Sequence, residues 1–146
     1  MNTARRLRSE ALRPSTVLPL WLEPRLATRD LSILDVRPSY RAGHVPGAVA
    51  LDVRRQLLDG AGNVVSPAEV ALVMSQLGVD DRDTIVLVDE GPPEDALLAA
   101  SVLARYGHAD VYLLEGGHTR WKAEGREVTR EIPRRPAGSF TARLSA

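Results

Sequence analysis

The sequence predicts an α/β fold, a doubly wound and mainly parallel sheet with helices on both faces. Three observations carry that prediction. Apolar runs of strand length recur at Leu31–Val36, Ala48–Leu51, Thr84–Val88 and Val111–Leu114. Well-punctuated helix starts fall between them, at Ser66 and at Pro92. The run Thr84–Val88 (TIVLV) is apolar on both faces, as a strand covered on both sides requires. Strand and helix alternating at this spacing make βαβ units, and such folds place their sites at the carboxyl ends of the strands.

The elements follow in chain order. Residues 1–15 carry Arg5, Arg6, Arg8 and Arg13 against the single acid Glu10 and lead into no apolar run. They read as a flexible N-terminal arm and not as a secretory leader, so a cytoplasmic chain is expected. Val17–Leu18 is a short strand. Leu20–Leu26 is a short helix, with Pro24 tolerated only in a first turn. Leu31–Val36 is a buried strand that ends in charge, and Ala48–Leu51 is another.

Ser66 can cap a helix, Pro67 sits at its first position where a missing N–H costs nothing, and Glu69 can reach back to the cap. Val70, Val73, Met74 and Leu77 then mark one helical face, and Gly78 ends it. Pro92-Pro93-Glu94-Asp95 opens a second helix with acids at its positive end. Its body is apolar nearly all round, which makes it central, and Gly107 closes it. Val111–Leu114 is the last strand, Gly116-Gly117 a turn and Thr119–Glu124 a last short helix. The domain is expected over residues 16–130. The stretch 131–146, with Pro133 and Pro136, reads as an extended tail resembling an interdomain linker.

Composition narrows the chemistry. The chain has 146 residues, 44% of them hydrophobic and 26% charged, enough for one core without a disulfide or metal staple. Nineteen basic and nineteen acidic residues cancel, so no global field draws it to nucleic acid or to an anionic membrane. The longest nearly apolar stretch, Ala96–Ala104, is half a membrane span. There is no cysteine, which excludes thiol nucleophiles and thiolate metal sites. His44, His108 and His118 lack the spacing of a metal site, and no cofactor is expected. No G-x-S-x-G and no P-loop are present.

Two segments at strand ends carry motifs. The first is Asp35-Val36-Arg37-Pro38-Ser39-Tyr40-Arg41-Ala42-Gly43-His44-Val45-Pro46-Gly47-Ala48, and the second is Glu115-Gly116-Gly117-His118-Thr119-Arg120-Trp121. Asp35 and Arg37 are charges where a strand leaves the sheet. Gly43, Pro46 and Gly47 punctuate a tight turn, and His44 is expected to bond backbone and hold it. Gly116-Gly117 fits close packing of helix on sheet better than a phosphate site, and Trp121 fits a core plug.

Together these segments resemble the rhodanese-like domain over about Val17 to Val128. More narrowly the chain is similar to the N-terminal, non-catalytic half of tandem thiosulfate or 3-mercaptopyruvate sulfurtransferases. That resemblance implies a five-stranded parallel sheet. It also implies a nucleophilic Cys where strand TIVLV ends, with a basic residue five positions on.

Here that loop reads Asp89-Glu90-Gly91-Pro92-Pro93-Glu94-Asp95. Asp89 or Glu90 stands at the position of the family Cys, and Glu94 or Asp95 at that of the family base. The prolines remove two amide donors, and four acids repel anionic substrates. No catalytic residue is assigned. The resemblance therefore implies a partner, a second Cys-bearing rhodanese domain in cis or in trans, or self-association. A stand-alone binding or regulatory module stays open, as does a hard cation held by the acids of the loop. A domain partner would need one exposed apolar patch, expected from Leu57, Leu58, Val64, Val65, Ile132, Phe140 and Leu144 unless they fill the chain's own core.

Overall fold

The computed structural model describes residues 15–144. The Arg-rich part of the N-terminal arm lies outside them. Five strands form one parallel sheet: β1 Ser15–Val17, β2 Leu31–Asp35, β3 Val49–Ala50, β4 Thr84–Val88 and β5 Val111–Leu114. Their order across the sheet is β1-β5-β4-β2-β3, so β4 lies at its centre and pairs with the fully buried β2 from Leu31↔Thr84 to Asp35↔Val88.

Side chains alternate across this sheet, as the twofold strand period demands. Leu34, Ile85, Leu87 and Leu113 point to one face. There they meet α2 (Val53–Gln56), α3 (Pro67–Gln76) and α4 (Glu94–Arg105) through Val53, Met74 and Leu103. Ile33, Val86, Val88 and Leu114 point to the other, where Leu22 of α1 (Pro19–Leu22) and Trp121 of α5 (Gly117–Ala123) cover them. No helix among the described residues is long and apolar enough to cross a membrane.

Ser66 caps α3 as its sequence indicates, its Oγ accepting from the Glu69 amide at 3.2 Å. Several boundaries move; β2 stops at Asp35, one residue before Val36, and β3 shortens to Val49–Ala50. β1 starts at Ser15, two residues early, because pairing with Tyr112–Leu114 of β5 fixes it. The first helix is one α-turn followed by a 3₁₀ turn, Glu23–Arg25, since Pro24 cannot sit inside an α-helix. Helix α4 begins at Glu94, with Pro93 at its cap position and not inside it. Helix α5 begins at Gly117, where the left-handed Gly116 turns the chain directly into it.

Residues 131–144 carry no helix or strand, yet they are fastened to the body. Gly138 N–H donates to the Ser75 carbonyl at 2.8 Å, and Asp81 N–H donates to that of Ser139 at 3.0 Å. Thr141 donates to Asp81 from both its amide and its hydroxyl. Arg135 donates to Ser32 Oγ at 2.9 Å. Phe140 is buried in the α3–α4 core, and its ring lies 5.2 Å from that of His108.

The expected apolar patch is not formed. Leu57 and Phe140 are core residues, and Val64 and Val65 pack against that core. Leu58 is half-buried, and only Ile132 and Leu144 are exposed. The antiparallel bridge Leu58↔Val64 explains the difference, because it folds residues 57–65 back onto the sheet.

Candidate functional site

The carboxyl ends of β2, β4 and β5 converge on one surface, and each motif sits there. Asp35 is the last residue of β2 and is fully buried. Arg37 spans the strand end and binds it through three nitrogen–oxygen contacts of 2.8–3.1 Å. The same guanidinium donates to the Gly43 carbonyl at 2.8 Å and to Ser39 Oγ at 3.1 Å. Arg37 thereby holds the turn that follows and is almost saturated as a donor.

Tyr40 and His44 lock that turn. Tyr40 donates its hydroxyl to the Ala48 carbonyl at 2.7 Å, while burial and the nearby Asp35 charge push its phenol above the usual range. Its ring stacks on His44 with centroids 3.9 Å apart. His44 is fully buried, with Nδ1 2.9 Å from the Tyr40 carbonyl and Nε2 2.6 Å from that of Glu131. Its backbone pairs with Thr129. The histidine is thus bonded on all sides to backbone. His108 Nε2 is likewise spent on the Asp83 carbonyl. Among the described residues no group of three or more His, Asp or Glu side chains could hold a metal ion. The acidic loop therefore offers no cation a ligand set.

The second motif packs against the first residue past β4. Gly117 has φ +61°, and a Cβ there would lie 2.2 Å from the Asp89 carbonyl oxygen. The next residue, His118, donates its amide to that carbonyl at 2.7 Å. The diglycine thus serves helix–sheet packing. Trp121 is fully buried behind it and donates Nε1–H to the Glu127 carbonyl.

The loop from Asp89 to Asp95 lies between. Asp89 is half-buried, and its Oδ2 has no hydrogen-bond partner. Burial raises its carboxyl above the ordinary range. The Gly91 amide opposes this, and the charges of Asp35 and Glu90 add to it. His118 Nδ1 is also buried without a partner, and burial, with Arg37 beside it, lowers its imidazole.

The loop's charge is less one-sided than its own letters indicate. Arg54, from α2, pairs with Asp95 at 3.1 Å, and Arg37 approaches Glu90 at 3.8 Å. Neither contact has a signature in sequence spacing. Ser39 also reaches Glu90, at 2.9 Å, and no local pattern marks it. A cleft of about 590 Å³ opens beside the loop, lined among others by Arg37, Ser39, Glu90, His118, Lys122 and Val128. Sequence reading passed over Lys122. Its signal was that it is the one Lys among nineteen basic residues.

The chain is similar to known proteins in sequence and in fold. A putative thiosulfate sulfurtransferase of Saccharopolyspora erythraea is 33% identical over 84% of this chain and 45% of its own length. A probable 3-mercaptopyruvate sulfurtransferase of Pseudomonas aeruginosa is 37% identical over 74% of this chain and 44% of its own. The crystal structure of the 3-mercaptopyruvate sulfotransferase SseA from Escherichia coli matches with a TM-score of 0.82 at 26% identity, over 90% of this chain and 56% of that one. The chain therefore spans about half the length of the curated relatives it matches. The family model for the rhodanese-like domain covers residues 18–124, and with the sheet order and both motifs in place the chain belongs to the rhodanese-like family.

Proposed function

We propose that this chain is a non-catalytic, cytoplasmic rhodanese-like domain, the structural or regulatory half of a thiosulfate or 3-mercaptopyruvate sulfurtransferase. It acts by packing against a Cys-bearing rhodanese domain supplied in cis or in trans, or against a second copy of itself. One observation carries the reading: past β4, where the resemblance expects a thiolate, stands Asp89 or Glu90, and the whole chain holds no cysteine. Nucleophilic sulfur transfer needs a thiolate to carry the sulfane sulfur, and a carboxylate cannot replace it. The relatives are about twice as long as this chain, which supports a domain that works beside a second one.

A stand-alone regulatory module is favoured by a different observation. Five of the seven residues expected at a domain interface are buried or half-buried in this chain's own fold. Two measurements test the proposal. Cyanolysis of thiosulfate by the pure chain, followed as thiocyanate, should equal the buffer blank, and turnover above it overturns the non-catalytic assignment. Sedimentation with a Cys-bearing rhodanese domain should show a complex or, for the chain alone, a dimer. A monomer in both cases leaves the stand-alone module as the better account.

A further inference from the structure

The cleft beside helix α5 has no part in the pairing role, yet it has the size of a small-molecule site and lies where such folds bind ligands. Most of its charge is already spent. Both Glu90 oxygens are engaged, by Ser39 Oγ at 2.9 Å and by Arg37 at 3.8 Å. Asp35, Gly43 and Ser39 occupy the Arg37 guanidinium. Lys122 is the charged lining residue that makes no hydrogen bond or ion pair among the described residues.

His118 stands four positions before Lys122 on α5, an interval that puts both on one helical face with Cβ atoms about 5–6 Å apart. Both line the cleft. His118 is more than nine-tenths buried, and neither of its ring nitrogens has a hydrogen-bond partner among the described residues. Nδ1 is sealed from solvent, which leaves Nε2 to the cleft. The fold bonds His44 and His108 to backbone but puts this imidazole to no such use. Burial lowers its titration, and the Arg37 charge adds to this. Asp35 and Glu90 oppose it, and Lys122 lowers it further. Ala42, Ala123 and Val128 supply apolar lining. One open ammonium and one unbonded imidazole edge thus lie a helical turn apart in a largely apolar cleft.

We propose that this cleft binds a small monocarboxylate with an apolar body, its carboxylate shared between the Lys122 ammonium and the His118 Nε2–H and its body against Ala42, Ala123 and Val128. Nothing in this binding depends on a partner domain or on sulfur chemistry.

The test is a nuclear magnetic resonance titration of the ¹⁵N-labelled chain with isocaproate. Two comparison ligands each lack one feature: isocaproamide has no charge, and thiosulfate has no apolar body. Isocaproate should shift the amides of His118, Thr119 and Lys122 saturably, with a dissociation constant on the order of millimolar. Both comparison ligands should bind more weakly. Lys122→Met and His118→Phe should each weaken isocaproate about fivefold, the effect of one charge contact or one hydrogen bond. Lys122 is exposed and phenylalanine keeps a ring at position 118, so unchanged amide spectra elsewhere verify the fold. A carboxylate beside the imidazole favours its protonated form. Bound isocaproate should therefore move the titration of the His118 ring resonances upward in the parent chain, which decides the matter if His118→Phe fails to fold. Non-saturating shifts or an unmoved ring titration overturn the proposal. So does isocaproamide or thiosulfate binding as well as isocaproate, or isocaproate binding unchanged in both variants.

Discussion

Replacing Phe140 by alanine tests whether residues 131–144 belong to the fold. The ring is 5% exposed, packs in the α3–α4 core and tilts against His108. A buried phenylalanine removes roughly 150–250 Å² from water, worth about 4–6 kcal/mol at 25 cal/mol per Å². Alanine keeps part of that, and core Phe→Ala changes cost about 3–5 kcal/mol. Here the lower end applies, because the segment is bound from one side and can lift away, leaving no rigid cavity. About 3 kcal/mol is expected. For a chain of this length that lowers the melting temperature by roughly 6–12 °C. Urea melts followed by fluorescence of the buried Trp121 give the free energy. Hydrogen exchange at the amides of Gly138, Ser139 and Thr141 gives the local loss. Leu144→Ala in the same segment is the control; its side chain is 60% exposed and the change should cost less than about 0.5 kcal/mol. A Phe140→Ala chain as stable as the parent, or a control that costs as much, would refute the reasoning.

Three further outcomes are expected. Ser66→Ala should cost about 1 kcal/mol in a urea melt, since it removes the only side-chain bond at the α3 start, and an unmoved midpoint would deny the cap. Gly117→Ala should be more severe than Gly→Ala changes at exposed glycines, because Gly117 is buried and the new Cβ meets backbone at 2.2 Å at a left-handed φ; a melting point unchanged by calorimetry would contradict the close approach. Asp89→Asn should raise stability at pH 7. The folded carboxyl titrates above its unfolded value, so the native state binds more protons between the two, and stability falls as pH rises through that window. Melts across pH should show the variant's advantage present at pH 7 and fading as pH drops to the ordinary carboxylate range; an advantage constant with pH would exclude ionisation as its source.

The parts of this fold that were legible are those whose cause is local. The strand Thr84–Val88 matches its apolar run letter for letter, because burial on both faces leaves no other residue type there. The start of α3 is encoded in three consecutive residues. The site's frame was legible for a related reason, since Asp35, Arg37 and the Gly43–Gly47 turn bond within ten residues of one another. What escaped depends on distance in sequence. Arg54 meets Asp95 across 41 positions, visible only once α2 and α4 pack. Two prolines in 131–146 signal an extended chain but carry no information on what residues 131–144 touch. Asp80 and Asp81, which fasten it, read as ordinary turn residues. Leu57, Val64 and Val65 were ambiguous for the opposite reason. An apolar residue states that it will be covered, and not whether its own chain or another does the covering.

The contacts that seat position 89 are made by its carbonyl, which receives the His118 amide and lies under Gly117. Its side chain leaves Oδ2 unsatisfied and bonds only backbone amides of its own loop. An experimenter can therefore rewrite that side chain without rebuilding the scaffold. In a protein with no other thiol, Asp89→Cys would install a single addressable sulfur at the carboxyl edge of the sheet. A fluorophore or spin label attached there would report from the mouth of the fold alone, with no background to remove.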